Sequence, residues 1–369
     1  MNSNKLALFV PSLRGGGAER VMVNLARAFN DMGISVDLVL AQAEGPYLKE
    51  VPNNVKIVDL SAKRVLTSLP ALVRYLKHTH PRAMLSAMGH ANIVAVWATR
   101  LARVETRLVM SEHNTISRTN SVATMRARLM PMLARKFYPW ANSVVMVSQA
   151  VKEDFLRMTQ LDPDGVKVIY NPVITPGLYQ KAKLPVEHPW LSDKKSPVIL
   201  GAGRLTKQKD FFTLIRAFAL VRQQIEAKLI LIGEGEDRPA LENLISELDI
   251  AEDVDLHGFV DNPYAYMAKA DVFALTSAWE GLPTVLIESL AVGMQVVSTD
   301  CPSGPREILN NGEYGALVPV GDVAAVARSI LQVIREGSND KISLQALESY
   351  NLDNVVKTYH SVLFGESFA

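Results

Sequence analysis

Residues 5–40 read KLALFVPSLRGGGAERVMVNLARAFNDMGISVDLVL. The run 6–10 is short and wholly apolar, as a strand buried on both faces must be. Glycines 15–17 break it, and apolar residues then recur at Val21, Leu25 and Phe29, one stripe of a helix. Gly33 is a helix stop, and 36–40 is a second strand-like run. Strand, glycine loop, helix and strand make a βαβ unit. The run 6–13 follows one lysine as a signal peptide would, but it opens into Arg14-Gly15-Gly16-Gly17 without a small-residue cleavage pattern, so a buried strand is expected instead.

The same alternation continues outward. Strand-like runs recur at 55–58, 84–87, 107–111 and 144–147 with helical segments between them, which predicts a parallel sheet covered on both faces, the α/β class. Prolines 172, 176, 185, 189 and 197 then crowd a stretch of little periodicity, which reads as a linker closing the first domain. A second alternation follows at 198–200, 228–232, 254–256, 272–275, 295–298 and 316–318. Two domains of similar type are expected, residues 1–171 and 172–351, with no repeat strong enough to claim duplication.

Composition agrees: 369 residues, 48% hydrophobic and 21% charged, suit two ordinary globular domains. The single cysteine, Cys301, excludes an internal disulfide and fits a reducing compartment, so a cytoplasmic location is expected. No stretch approaches the ~20 apolar residues of a membrane span, the nearest being 93–99. The net charge of +1 hides an asymmetry, with +10 on residues 1–170 and −9 on 171–369. Residues 60–140 hold 13 bases against two acids, Glu105 and Glu112, a field that draws an anionic partner. Within it, Arg118, Arg126, Arg128, Arg135 and Lys136 interleave with Met125, Leu129, Met132, Leu133, Phe137 and Trp140. That pattern is either an amphipathic surface for anionic lipid or a domain helix with solvated arginines. Nucleic acid is not expected, because no binding motif accompanies the charge.

Open α/β sheets bind ligands where strands end and helices begin, so the loops there carry the candidate chemistry. Glu280-Gly-Leu-Pro-Thr-Val-Leu-Ile-Glu288 follows one such strand. Pro283 suits the first residue of a helix, whose free N–H groups and positive dipole end suit a diphosphate. Glu280 and Glu288 then address two ends of an elongated ligand, or are simply a surface and a helical glutamate. Gly201-Ala-Gly-Arg-Leu-Thr-Lys-Gln-Lys-Asp210 offers Arg204 and Lys209 to phosphate oxygens, with neither Walker nor dinucleotide spacing. In the first domain Gly15, Gly16 and Gly17 occupy the equivalent position, and Ser111-Glu112-His113-Asn114 lies beyond another strand end.

Taken together these residues resemble the retaining glycosyltransferases of family 4, which have the GT-B fold: two facing Rossmann-like domains with a cleft between them. The resemblance covers almost the whole chain. It is most specific at Gly203-Arg204-Leu205 with Lys209, Gly233-Glu-Gly235, Gly258-Phe259, Glu280 to Glu288, and Gly315 to Pro319 before Gly321-Asp322. The resemblance implies that Arg204 and Lys209 bind the donor diphosphate, Glu288 the ribose and Glu280 the transferred sugar. The loop of Gly281, Leu282, Pro283 and Thr284 would offer the backbone N–H groups of its residues other than the proline, and Gly258, Phe259 and Val260 would border the base. Gly16 and Gly17 would approach the donor phosphate, and His113 would lie near the reacting centre. The C-terminal helix, in residues 352–369, would pack back on the first, acceptor-binding domain.

The Gly-Gly-Ala-Glu-Arg and Ser-Glu-His-Asn stretches look like bacterial enzymes that extend lipid-linked oligosaccharides, capsules or lipopolysaccharide. The expected partners are thus a UDP-sugar, with N-acetylhexosamine the first choice, a polyprenyl-diphosphate-linked or lipid-anchored acceptor, and the inner face of the cytoplasmic membrane. Asp162-Pro163-Asp164 has the acidic spacing of metal-dependent sugar transferases, but Pro-Asp-Gly is a turn signal, so no metal and no cofactor are expected. A nucleotide-sugar epimerase or hydrolase, or a silent sugar-binding subunit, remain as alternatives.

Overall fold

The computed structural model describes residues 4–119, 125–337 and 344–365; the side chains of 118–119, 125–128 and 344–345 lie outside that description. The chain divides into two units, Met1–Val173 with Ser349–Ala369, and Ile174–Glu348.

In the first unit, strands β1 (Lys5–Val10), β2 (Ser35–Leu40), β3 (Lys56–Asp59), β4 (Ala83–Ala87), β5 (Arg107–Glu112), β6 (Ser143–Met146) and β7 (Val166–Val168) form one parallel sheet. Their order is β3-β2-β1-β4-β5-β6-β7. The run that opens the sequence is therefore central, and Leu6 to Val10 are fully buried between two neighbours and two helical layers. Helix Gly17–Asp31 turns Val21, Leu25 and Phe29 onto the sheet, and Gly33, at φ +77°, ends it in a conformation that disfavours a side chain. Helix Leu352–Phe364 belongs to this unit: Val355, Val356, Tyr359, Val362 and Leu363 enter the same core, and Arg107 Nε donates to the Val362 carbonyl at 2.8 Å.

The second unit repeats the plan with β8 (Val198–Ala202), β9 (Lys228–Ile232), β10 (Val254–Gly258), β11 (Val272–Leu275), β12 (Gln295–Thr299) and β13 (Ala316–Val318), ordered β10-β9-β8-β11-β12-β13 and parallel throughout. Helices Phe211–Arg222 and Val323–Glu336 close its core. In each unit the strand order reverses once, between β1 and β4 and between β8 and β11. In open α/β sheets of this kind, ligands bind outside the carboxyl ends of the strands at such a reversal. The loops carrying Arg204, Lys209 and Glu280 follow β8 and β11, the two strands at that reversal.

Candidate active site

At the reversal point of the second unit, Lys209 and Glu280 meet. Lys209 Nζ donates to Glu280 Oε1 at 2.6 Å, and the lysine stem runs across Gly203, where a Cβ would crowd it. Ser277 Oγ donates to the same oxygen at 2.7 Å. Gln208 Nε2 donates to the Trp279 carbonyl at 3.1 Å and stands 3.4 Å from Glu280 Oε2. The two loops are stitched by backbone as well: Ala278 N donates to the Gln208 carbonyl at 2.8 Å, and Thr276 Oγ1 to the Asp210 carbonyl at 3.0 Å. Asp210 caps helix Phe211–Arg222 through the Thr213 amide, which fixes where the loop ends. Arg204 is exposed, and among the described residues it makes no hydrogen bond or ion pair. The arrangement is one unpaired cation beside a second cation held by a carboxylate with an oxygen to spare.

Helix Thr284–Ala291 begins one residue later than expected; Pro283 is its N-cap, in extended conformation, rather than its first turn. The Leu286 amide donates to the Pro283 carbonyl at 3.1 Å, so in its first turn the Thr284 and Val285 amides are the ones without an acceptor among the described residues. Glu288 is buried on this helix and accepts from Tyr264 at 3.3 Å. Gly233 has a purely packing reason to lack a side chain: at φ +137° a Cβ would overlap the Gly203 carbonyl, so the loops after β8 and β9 close on each other. The Gly258 carbonyl accepts from Gly233 N at 2.8 Å, and Phe259 beside it is half exposed.

The first unit's edge has a different character. Glu112, at the tip of β5, is buried and accepts from Tyr138 Oη and from Asn92 Nδ2 at 3.1 Å. Burial pushes its carboxyl up to about 7, partly offset by those two donors. His113 is also buried, with Nε2 3.1 Å from Ser111 Oγ, and burial pushes it down to about 4. At pH 7 the imidazole is neutral. Gly16 is the N-cap of helix Gly17–Asp31, and the carboxylate of Glu19 lies where its Cβ would be. A glutamate three places into a helix folding back on its cap is a capping-box placement. The absence of a side chain at Gly16 therefore has a local cause.

Among the described residues one His/Asp group has metal-ligand spacing, His188, Asp255 and His257. Asp255 Oδ2 lies 3.0 Å from His188 Nε2 and 2.8 Å from His257 Nδ1, and Tyr266 Oη lies 2.7 Å from His257 Nε2. The Trp190 amide donates to His188 Nδ1, so the ring proton sits on Nε2, the nitrogen a metal needs bare. The group reads as a closed hydrogen-bond network. Asp162 accepts from the Asp164 amide in a turn that precedes β7, at the opposite edge of the sheet from the strand tips.

On the basic face, helix Met125–Phe137 and the residues after it expose Leu129, Met132 and Trp140 beside Arg135 and Lys136. Arg100 lies over the Trp140 ring at 5.1 Å, and Phe137 joins Trp97 to Trp140 edge-on. The side chains of Arg118, Arg126 and Arg128 fall outside the described residues. No helix among the described residues is long and apolar enough to cross a membrane.

Ser277, Gln208, Tyr264, Asn92, Tyr138 and Glu19 were not singled out by the sequence. Ser277 and Gln208 sit three and one places from Glu280 and Lys209, so proximity in the chain was the available signal.

The family model described as Glycosyltransferase Family 4 matches residues 15–175, and that described as Glycosyl transferases group 1 matches 186–349. Over 342 residues the chain is 33% identical to the N-acetylgalactosamine-N,N'-diacetylbacillosaminyl-diphospho-undecaprenol 4-alpha-N-acetylgalactosaminyltransferase of Campylobacter jejuni, covering 90% of each. It is 28% identical over 312 residues to the amylovoran biosynthesis glycosyltransferase AmsD of Erwinia amylovora, covering 84% of this chain and 85% of that one. Among solved structures, Anabaena HepE in complex with UDP-glucose superposes with a TM-score of 0.81 at 20% identity, covering 98% of this chain and 100% of that one.

Proposed function

Because this chain belongs to glycosyltransferase family 4 and has the GT-B fold, we propose that it moves an N-acetylhexosamine or hexose from a UDP-sugar, with retention, to a lipid-linked or cell-surface glycan. The observation that carries the reading is the Lys209–Glu280 pair at the reversal point of the second unit, with Lys209 on the same loop as Arg204, which has no partner among the described residues. Arg204, Lys209 and the start of helix Thr284–Ala291 take up the charge that grows on the diphosphate as the anomeric C–O bond breaks. Glu280 accepts from the transferred sugar and Glu288 from the ribose. The acceptor hydroxyl attacks the face the diphosphate leaves, and its proton passes to the departing phosphate oxygen, so no enzyme carboxylate need form a bond. Two protein cations and a helix start supply the electrostatic work, and no divalent ion is invoked.

The acceptor class follows the relatives: the Campylobacter enzyme's name specifies a diphospho-undecaprenol acceptor. The exposed Leu129, Met132 and Trp140 with Arg135 and Lys136 support docking of the first unit on an anionic cytoplasmic membrane surface. The test is UDP release from a panel of UDP-sugars, with EDTA, with a polyprenyl-diphosphate glycan in anionic or zwitterionic vesicles. Acceptor-dependent, EDTA-resistant release that is faster on anionic vesicles is expected. Release without acceptor points to hydrolase or epimerase chemistry, and equal rates on both vesicles remove the membrane part.

A further inference from the structure

Glu280 is held asymmetrically. Its Oε1 takes Lys209 Nζ at 2.6 Å and Ser277 Oγ at 2.7 Å, which fills both lone-pair directions of that oxygen. Among the described residues its Oε2 has only the Gln208 amide at 3.4 Å, a long contact from a group already committed to the Trp279 carbonyl. Ser277 is fully buried two residues past β11, and its carbonyl accepts from Thr299 Oγ1 at 2.6 Å, so the last residue of β12 fixes its backbone. Its hydroxyl is spent on the carboxylate, a charge-assisted bond to a side chain three residues on, rather than on turning the local backbone.

We propose that Ser277 is a positioning residue for sugar transfer: with Lys209 it pins one oxygen of Glu280 and so presents the other to a hydroxyl of the transferred sugar. Two consequences follow. Lys209 keeps two of its three N–H donors for the diphosphate, because one suffices to hold Oε1. The sugar is read by an acceptor oxygen whose direction is set before the donor arrives, so the ordering entropy is not charged to the binding step. The proposal rests on the donor-site reading above, and it assigns Ser277 to the sugar end of the donor and not to the nucleotide end.

The test compares Ser277→Ala, Ser277→Thr and Glu280→Gln, alone and with Ser277→Ala added, by steady-state transfer and by calorimetric binding of UDP. Ser277→Ala is expected to lose about 10- to 100-fold in kcat/KM, the scale of a misaligned contact, while its UDP affinity stays within about twofold. Ser277→Thr keeps the hydroxyl and restores most of the loss. In the Glu280→Gln background the Ser277→Ala effect shrinks to within about threefold, because the two residues act as one unit. Full activity in Ser277→Ala, an equal loss of UDP affinity, or an undiminished effect beside Glu280→Gln overturns the proposal. A wild-type protein that neither binds UDP nor transfers sugar overturns the donor-site reading and this assignment with it.

Discussion

The two units share a strand order but finish their carboxyl edges in opposite ways. In the first, Glu112 and His113 are buried and driven toward neutrality, and the hydrogen bonds at the β5 tip run to Tyr138, Asn92 and Ser111 of the same unit. In the second, Lys209 and Glu280 meet as an ion pair, and among the described residues Arg204 has no partner and one oxygen of Glu280 has only a long contact. The same scaffold thus yields one edge whose carboxylate and imidazole are tied to neighbours within the unit, and one whose carboxylate is tied to a lysine by one oxygen and has only a long contact at the other.

The contrast is broken most forcefully at the charged edge. Arg204→Ala and Lys209→Ala are each expected to cut turnover by about 100- to 1,000-fold, the worth of one donor aimed at developing charge. Their stabilities should differ. Arg204 is exposed and unpaired among the described residues, so its loss changes the unfolding free energy by less than about 0.5 kcal/mol. Lys209→Ala strands a buried carboxylate and costs roughly 3 kcal/mol. Urea melts beside rate assays separate the two, and normal turnover in either folded variant refutes the assignment.

The neutral edge is tested by pH. Folded Glu112 holds its proton to about 7 against an ordinary 4.5, so it destabilises the fold increasingly as pH rises through that window. Folded His113 takes its proton only near 4 against 6.5, so it returns stability as pH rises from about 4 to 6.5. The slopes oppose each other over most of the range. Glu112→Gln removes the first, so its stability relative to wild type should grow by up to roughly 3 kcal/mol between pH 4.5 and 7. A difference that stays flat across those pH values means that Glu112 is ionised in the folded protein.

The smallest effect concerns the glycine loop. Gly16→Ala pushes the Glu19 carboxylate off the helix start and should cost about 1 kcal/mol, and much less when Glu19→Ala is already present. Equal costs in both backgrounds would leave ligand approach as the reason for that glycine.

Most strands were legible because each is an apolar run bounded by a glycine or polar loop, and burial on both faces leaves few other readings. The exception is β7, Val166–Val168, a short run that Lys167 interrupts directly after a turn. Arg204, Lys209, Glu280 and Glu288 were legible through motif order. Their partners were not, since Tyr264 lies 24 positions from Glu288, and Tyr138 lies 26 from Glu112. Only a folded chain brings such pairs together, and no local periodicity records them. The Ser-Glu-His-Asn stretch was legible from its place beyond a strand end, whereas the burial of Glu112 and His113 was not.

Helix Leu352–Phe364 gives the first unit a core that is finished by residues translated after the whole second unit. On the ribosome, the first 173 residues emerge with one flank of their sheet uncovered. The roughly two hundred residues that follow take about 10–40 s to synthesise. The second unit, contiguous from Ile174 to Glu348, closes in that interval, so the order of completion is the reverse of the order of translation. Any event that stops synthesis before residue 352 releases a nascent chain whose later half is sound and whose earlier half is a client for chaperones and proteases.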